Sequence, residues 1–269
     1  MDPLFAFPSI FEARECRYGR MLFPARDQYV GRSLALYGEF SEGEAEVFRH
    51  LVRPGDMVVE VGANLGAHTV LLARLAGPQG AVLAFEPQPI LFQVLCANLA
   101  MNNITTVVAE QKGLGRRTGF AHIPSLDYGA DANFGGLSLE QETEGEKVPV
   151  AILDAYRLRA CAFIKIDVEG MEAQVLEGAA ETLHRLRPAL YVENDRREKS
   201  QELIELLQAM DYRLWWHTPP LFHADNFAGN PENVFGTLVS LNLLCIPREK
   251  AFKTNLKEVA GPGDWVGGA

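Results

Sequence analysis

Short apolar runs alternate with amphipathic segments along most of this 269-residue chain, and that alternation constrains its fold more than any other feature. Each run has the length of a buried strand, and a segment with apolar residues at helical spacing follows it. The runs are Met57–Val61, Ala81–Phe85, Thr106–Ala109, Ala162–Ile166 and Ala189–Val192. Strands that alternate with helices form a parallel sheet with helices on both faces. The pattern therefore predicts a doubly wound, Rossmann-like α/β fold.

Helices and two further strands are predicted around these runs, which brings the sheet to about seven strands. The predicted helices cover 42–52, 66–76, 89–101, 170–186 and 199–210, and the further strands cover 212–216 and 238–246. Ser41 and Glu44 fit a capping box at the start of the first helix. In this interpretation, residues 1–40 are an N-terminal extension that packs on the core, 41–250 are the main domain and 251–269 are a tail.

Composition excludes several classes of function. A formal charge of −10 disfavours nucleic acid as a partner, because an acidic surface repels phosphates. The four cysteines form no C-x-x-C pair, so they predict neither a zinc site nor a disulfide framework, and the protein is expected to be cytoplasmic. No basic start precedes a long apolar stretch, so neither a signal peptide nor membrane insertion is expected.

A glycine-rich turn, Glu60-Val-Gly-Ala-Asn-Leu-Gly66, follows the first strand. Ligands of doubly wound sheets bind at the carboxyl ends of strands, so this turn is a candidate ligand site. Gly62 allows a sharp turn. Asn64 and Ala67 replace the second and third glycines of the NAD fingerprint, which disfavours the alternative of a nicotinamide-dependent oxidoreductase. The turn instead resembles the E/D-x-G-x-G-x-G turn of class I methyltransferases.

The next strand ends at Phe85-Glu86-Pro87, and Glu86 lies 24 positions after Gly62. A carboxylate at this place can accept hydrogen bonds from both hydroxyls of a ribose. One polar strand end is common in proteins. Two carboxylates at equivalent ends of adjacent strands, Glu60 and Glu86, predict a nucleoside-binding site.

A second polar group is predicted where the fourth and fifth strands end. Neighbouring strands lie roughly 4.8 Å apart, so side chains at their ends can converge. Asp167, Glu193 and Asn194 could bind Mg²⁺, which would acidify a substrate hydroxyl. Alternatively, a carboxylate acts directly as a general base or orients the substrate. Lys165 alternates in phase with Asp167, and a lysine in a buried strand requires a carboxylate partner, for which Glu193 is a candidate.

The chain resembles the FkbM family of methyltransferases over about residues 40–247. The matching stretches are Pro54-Gly-Asp56, Glu60–Gly66, Phe85–Pro87 and, most specifically, Phe163-Ile-Lys-Ile-Asp-Val-Glu-Gly-Met-Glu172. The resemblance implies a class I methyltransferase fold and S-adenosylmethionine-dependent methylation of a hydroxyl on a sugar, glycan or natural product. It also implies cofactor contacts from Glu60, Gly62, Ala63, Asn64, Gly66, Glu86, Pro87, Gln111 and Asp167. The candidate catalytic residues are Asp167, Glu193 and Lys165.

The acceptor is expected to bind near segments 124–147 and 216–236, which should lie beside the carboxyl ends of the strands. Asn133-Phe-Gly-Gly136 could form a lid, and aromatic residues such as Trp215 and Trp216 could hold a sugar ring. A small molecule or glycan is the expected partner, and the sequence is compatible with a homo-oligomer. A non-catalytic cofactor-binding module is the remaining alternative, which the intact carboxylate group disfavours.

Overall fold

The computed structural model describes residues 10–139 and 144–267, so predictions that fall on 1–9, 140–143 and 268–269 lie outside the described residues. The helices are α1 (Val30–Tyr37), α2 (Glu42–Leu51), α3 (Ala67–Ala76), α4 (Pro89–Met101), α5 (Glu172–Glu177), α6 (Ala180–Leu186) and α7 (Arg197–Ala209). The strands are β1 (Phe11–Cys16), β2 (Gly19–Pro24), β3 (Met57–Val61), β4 (Ala81–Phe85), β5 (Val107–Glu110), β6 (Gly113–Leu114), β7 (Gly119–Ile123), β8 (Glu146–Ala151), β9 (Phe163–Ile166), β10 (Ala189–Glu193), β11 (Tyr212–His217), β12 (Asn242–Pro247) and β13 (Lys257–Glu258).

The largest sheet among the described residues has eight strands in the order β13-β11-β12-β10-β9-β3-β4-β5. The strands from β10 to β5 pair in parallel, and β12 runs antiparallel to both β10 and β11. The strand order reverses between β3 and β9, which makes their carboxyl ends the topological switch point. The predicted doubly wound, mostly parallel sheet is therefore confirmed, with the two-residue β13 as an additional strand.

Helices cover both faces of this sheet because successive strand residues point to opposite sides. Val59 of β3 packs in one cluster with apolar residues of α5, α6 and α7. Its neighbour Val58 packs in another cluster with Phe48 of α2 and residues of α3 and α4. Apart from this core, β6, β7 and β8 form a separate three-stranded sheet. None of the helices in residues 10–139 and 144–267 combines the length and apolar character that a bilayer crossing needs.

The hairpin of β1 and β2 packs beside the turn after β3. Asn98 of α4 accepts a hydrogen bond from the Leu22 amide at 2.6 Å and donates one to the Leu22 carbonyl at 2.9 Å. The side-chain amide of Asn98 also donates to the carbonyl of Leu65 at 2.7 Å. One buried side chain thus connects the hairpin, α4 and the glycine-rich turn.

Three local predictions are corrected. Residues 170–186 do not form one helix but the separate helices α5 and α6. A Cβ at Gly178, between them, would lie 2.0 Å from the carbonyl oxygen of Gly115, so this close approach requires glycine. Ser41 makes no capping hydrogen bond with its side chain at the start of α2. The last long strand begins at Asn242 rather than at 238.

We expect Gly178→Ala to lower the free energy of unfolding by about 1–3 kcal/mol, because the added methyl group forces α5 away from the Gly115 backbone. Urea unfolding followed by circular dichroism measures the change. Gly119→Ala is the matched control, since a Cβ at Gly119 meets nothing within 4 Å. Equal stability of the two variants would contradict the close-approach explanation.

Candidate active site

Two connected spaces open at the carboxyl ends of β3, β4, β9 and β10. The narrow cavity has a volume of about 520 Å³ and is lined by residues that include Phe85, Glu86, Pro87, Lys112, Leu114 and Met171. The wide cleft has a volume of about 1350 Å³ and is lined by residues that include Glu44, Glu60, His68, Lys165, Glu193 and Asn242. Both spaces are also lined by Gly62, Glu86, Gly135, Asp167 and Glu169, so they meet at the switch point.

The turn after β3 brings the backbone of two strands into contact. Gly62 has a φ of 83°, and a Cβ there would lie 1.7 Å from the carbonyl oxygen of Asp167. A side chain at this position would therefore force β3 and β9 apart, where the two spaces meet. Gly66 also has a positive φ, and a Cβ there would lie 2.6 Å from the Leu95 side chain. Gly62 thus allows the sharp bend that the sequence predicts, and Gly66 allows the start of α3 to pack closely against α4.

Glu86 lies at the end of β4 with its carboxylate fixed by the backbone. It accepts hydrogen bonds from the amides of Asn64 at 2.7 Å and Gln88 at 2.8 Å. A carboxylate has about four acceptor positions, so positions remain for the hydroxyls of a ligand. Burial raises the pKa of Glu86 to about 7, against the opposing effect of these two hydrogen bonds. A ligand that donates hydrogen bonds to Glu86 would therefore favour its ionised form.

Glu60 belongs to the wide cleft and does not line the narrow cavity. It pairs in register with Lys165 on β9 and accepts a hydrogen bond from Thr69 Oγ1 at 2.6 Å. Burial raises its pKa to about 7, and the charge of Lys165 opposes that rise. Glu60 and Glu86 thus both line the wide cleft, and Glu86 also lines the narrow cavity.

Lys165 is buried in the centre of the sheet, and its partner is Asp167. The ammonium lies 2.7 Å from Asp167 Oδ2, whereas the sequence analysis named Glu193 as the candidate partner. Glu60 and Glu44 also act on Lys165 by charge, and together these carboxylates raise its pKa against the effect of burial. In return, Lys165 lowers the pKa of Asp167, although burial acts in the opposite direction. Asp167 therefore remains ionised where the two spaces meet.

Three further carboxylates, Glu169, Glu193 and Asp195, offer oxygens that all lie within 4.8 Å of one another. Arg196 forms ion pairs with Glu169 and with Asp195. Burial and the neighbouring carboxylates raise the pKa of Glu193 well above its usual value, and its Oε2 is buried without a hydrogen-bond partner among the described residues. Asn194, predicted as a metal ligand, lines neither space, and its side-chain amide donates to Ser200 Oγ at 2.9 Å.

The remaining predicted residues are distributed over the two spaces. Pro87 lines the narrow cavity, and Ala63 and Asn64 line the wide cleft. Gln111 borders neither space, but its neighbours Lys112 and Gly113 line the narrow cavity. The tryptophans proposed as a sugar platform, Trp215 and Trp216, are buried in the core.

Sequence reasoning did not find the apolar wall of the narrow cavity or three polar residues of the wide cleft. The apolar residues are Leu114, Ile123, Leu137, Leu139 and Met171, and the polar ones are Glu44, His68 and Asn242. No signal in the sequence links Glu44, His68 and Asn242, since they come from α2, α3 and β12 and meet only in the folded chain.

We expect Lys165→Met to lower the free energy of unfolding by about 2–3 kcal/mol at neutral pH. This is less than the full cost of breaking a buried ion pair, because the Asp167 side chain is 37% exposed. A raised carboxyl pKa lowers stability as pH rises from the unfolded to the folded pKa. In the wild type, Glu60 has a pKa of about 7, so its effect on stability levels off above that pH. Without Lys165 the pKa of Glu60 is higher, and the variant continues to lose stability as the pH rises. The difference in the free energy of unfolding between wild type and variant should therefore grow above about pH 7.

Urea unfolding at several pH values measures this loss. Lys253→Met is the matched control, because Lys253 is exposed. A loss that stays constant or shrinks above pH 7 would contradict the coupling between Lys165 and Glu60.

The chain is similar in sequence to proteins named as methyltransferases. A curated relative, Methyltransferase 1 of Beauveria bassiana, is 33% identical over 143 residues, a match that covers 45% of this chain and only 57% of the relative. The 31-O-demethyl-FK506 methyltransferase FkbM of Streptomyces tacrolimicus is 28% identical over 227 residues, which cover 72% of this chain and 86% of the relative. The solved structure of methyltransferase FkbM from Methylobacillus flagellatus KT is 18% identical, with 74% of this chain and 50% of that chain covered and a TM-score of 0.47.

The family model of the methyltransferase FkbM domain matches residues 60–214, which is more than half of the chain. The match begins at Glu60, so it includes the glycine-rich turn, Glu86, Asp167 and the carboxylates that follow β9 and β10. It thus covers most of the residues around the two spaces. The chain belongs to the FkbM methyltransferase family.

Proposed function

We propose that this chain transfers a methyl group from S-adenosylmethionine to a hydroxyl oxygen of an acceptor. The observation that carries the proposal is the junction of the narrow cavity and the wide cleft at Gly62, Glu86 and Asp167. A group-transfer enzyme needs two ligands whose reacting atoms meet in line. The narrow cavity suits the donor, and the wide cleft suits the acceptor.

The residues of the narrow cavity are suited to binding a ligand that combines a nucleoside with a positively charged group. Leu114 and Met171 offer an apolar surface to an adenine ring, and the free acceptor positions of Glu86 suit the hydroxyls of a ribose. Asp167, whose pKa Lys165 lowers, is a carboxylate beside the junction. S-adenosylmethionine supplies a methyl group already activated on a sulfonium, so the protein has to align the two ligands and help the acceptor lose its proton.

Asp167 is the residue we assign to the acceptor proton. It is a carboxylate at the junction, and Lys165 keeps it ionised while its neighbour Glu193 stays protonated. Two carboxyl groups whose pKa values are pushed apart commonly divide the work of base and acid. Lys165 acts through Asp167 and is a positioning residue in this scheme.

Oxygen as the acceptor atom is supported by two features. The relative from Streptomyces tacrolimicus is named as a methyltransferase of 31-O-demethyl-FK506. The wide cleft is lined by carboxylates and amides, which are suited to binding hydroxyl groups. A hydroxylated small molecule or a glycan is therefore the acceptor we propose.

Magnesium does not enter this scheme. Glu169, Glu193 and Asp195 carry carboxylate oxygens, which are the ligands that a hard cation such as Mg²⁺ prefers. Arg196, however, already forms ion pairs with Glu169 and Asp195. A metal ion at this place would have to displace the guanidinium of Arg196. We therefore assign the charge balance of this group to Arg196.

We expect Glu86→Gln to weaken binding of S-adenosylhomocysteine by about 10- to 100-fold, the effect of losing charge-assisted hydrogen bonds. Ribose hydroxyls favour the ionised carboxylate, and Glu86 with a pKa of about 7 is mostly protonated at pH 6.5. Binding to the wild type should therefore release a proton at pH 6.5 and not at pH 9, and the variant should lose that release.

Calorimetry in buffers of different ionisation enthalpy measures both the affinity and the released proton. Glu181→Gln is the control, because Glu181 is an exposed residue of α6. Unchanged affinity in Glu86→Gln would argue against a ribose contact, and failure of the wild type to bind would argue against the proposed function.

We expect dialysis against EDTA to leave the initial rate of methyl transfer unchanged, because Arg196 and not a metal ion neutralises Glu169 and Asp195. The measurement is transfer of labelled methyl before and after dialysis. A loss of rate that added Mg²⁺ restores would contradict this assignment.

A further inference from the structure

One wall of the wide cleft consists of three polar side chains that the proposed transfer does not use. They are Glu44 of α2, His68 of α3 and Asn242 of β12. All three are buried, with exposed fractions of 4%, 5% and 4%. Burying a polar group is costly unless it finds a partner, so a wall of this kind requires an explanation.

The three side chains contact one another but leave one ring nitrogen without a partner. Asn242 Nδ2 donates to Glu44 Oε1 at 3.3 Å, and His68 Nδ1 lies 3.9 Å from Glu44 Oε2. His68 Nε2 has no hydrogen-bond partner among the residues described. A buried group left unpaired in this way becomes favourable when a ligand supplies the missing hydrogen bond.

Aromatic rings hold His68 in place. Its ring centroid lies 5.1 Å from that of Phe48, at a right angle, and 5.4 Å from that of Phe40. Burial and the charge of Lys165 lower the pKa of His68 to about 3, so the imidazole is neutral at physiological pH. A neutral imidazole has one donor and one acceptor nitrogen, which matches an alcohol better than an ion.

The wall lies beside the groups that we assign to the reacting hydroxyl. Asn242 stands directly opposite Glu193 in the pairing of β12 with β10, and cross-strand neighbours on one face lie about 5 Å apart. Lys165 and Asp167 both act by charge on Glu44 and on His68. A ligand whose hydroxyl reaches Asp167 therefore has its next substituent near this wall.

We propose that Glu44, His68 and Asn242 form a subsite for a second, non-reacting hydroxyl of the acceptor. The acceptor class is then a compound with two neighbouring hydroxyl groups, such as a sugar ring or another cyclic diol, rather than a simple alcohol. This inference rests on the proposed function, and it adds a specificity-determining role for residues that come from three separate elements. The reacting hydroxyl is selected because its neighbour is bound.

The test compares matched acceptors in a transfer assay with labelled S-adenosylmethionine. The probes are methyl hexopyranosides and trans-1,2-cyclohexanediol on one side, and tetrahydropyran-2-methanol and cyclohexanol on the other. We expect the diols to have at least about a tenfold higher kcat/KM, the effect of one hydrogen bond to a buried partner. Equal use of the two classes, or methylation of neither, would overturn the inference.

Two variants examine the residues themselves. His68→Phe and Asn242→Leu should each raise KM for the diols about tenfold, reduce the preference over simple alcohols and leave S-adenosylhomocysteine affinity unchanged. His50→Phe is the matched control, since His50 is exposed on α2. If both variants remain folded by thermal unfolding and keep the preference for diols, the subsite is refuted.

Binding of S-adenosylhomocysteine, measured on the same wild-type samples, separates the two proposals. If the protein binds S-adenosylhomocysteine but uses diols and simple alcohols equally, the subsite is refuted and the methyltransferase proposal is not. No binding and no transfer would refute both.

Discussion

The buried ammonium of Lys165 is the interaction on which the rest of the site depends. It lies 2.7 Å from Asp167, pairs in register with Glu60 and acts by charge on Glu44. Without this positive charge, Glu44, Glu60 and Asp167 would lose the cation that opposes the effect of burial on each of them, and an unpaired buried carboxylate is destabilising. Strand β9 thus carries the cation that stabilises these carboxylates at the switch point of the sheet.

The same charge divides the carboxylates into different protonation states. Asp167 is held ionised, whereas Glu193 on the adjacent strand keeps its proton because burial and its acidic neighbours act on it. Glu86 is farther along the sheet edge, where backbone amides and not Lys165 hold it. In the proposed reaction, Glu86 binds the methyl donor and Asp167 binds the hydroxyl that accepts the methyl group. Gly62 lies between them, where the two spaces meet.

Much of the fold and the position of Glu86 follow from local patterns. The parallel strands β3, β4, β9 and β10 begin and end within about one residue of the prediction, because short apolar runs next to turns are a strong local signal. The need for glycine at position 178 escaped prediction because the backbone that approaches it, at Gly115, is far away in sequence. Asn194 was grouped with Glu193 because the two are adjacent, yet neighbouring residues along an extended chain point to opposite sides.

The doubly wound sheet, the turn at Glu60–Gly66 and the position of Glu86 can be predicted from the sequence, because each depends on residues close together in the chain. The pairing of Lys165 with Asp167 and of Arg196 with Glu169 and Asp195 is seen only in the folded chain. The folded chain also shows that helices and a late strand build one wall of the wide cleft. Such contacts depend on distances between elements, and local propensity and periodicity contain no information about those distances.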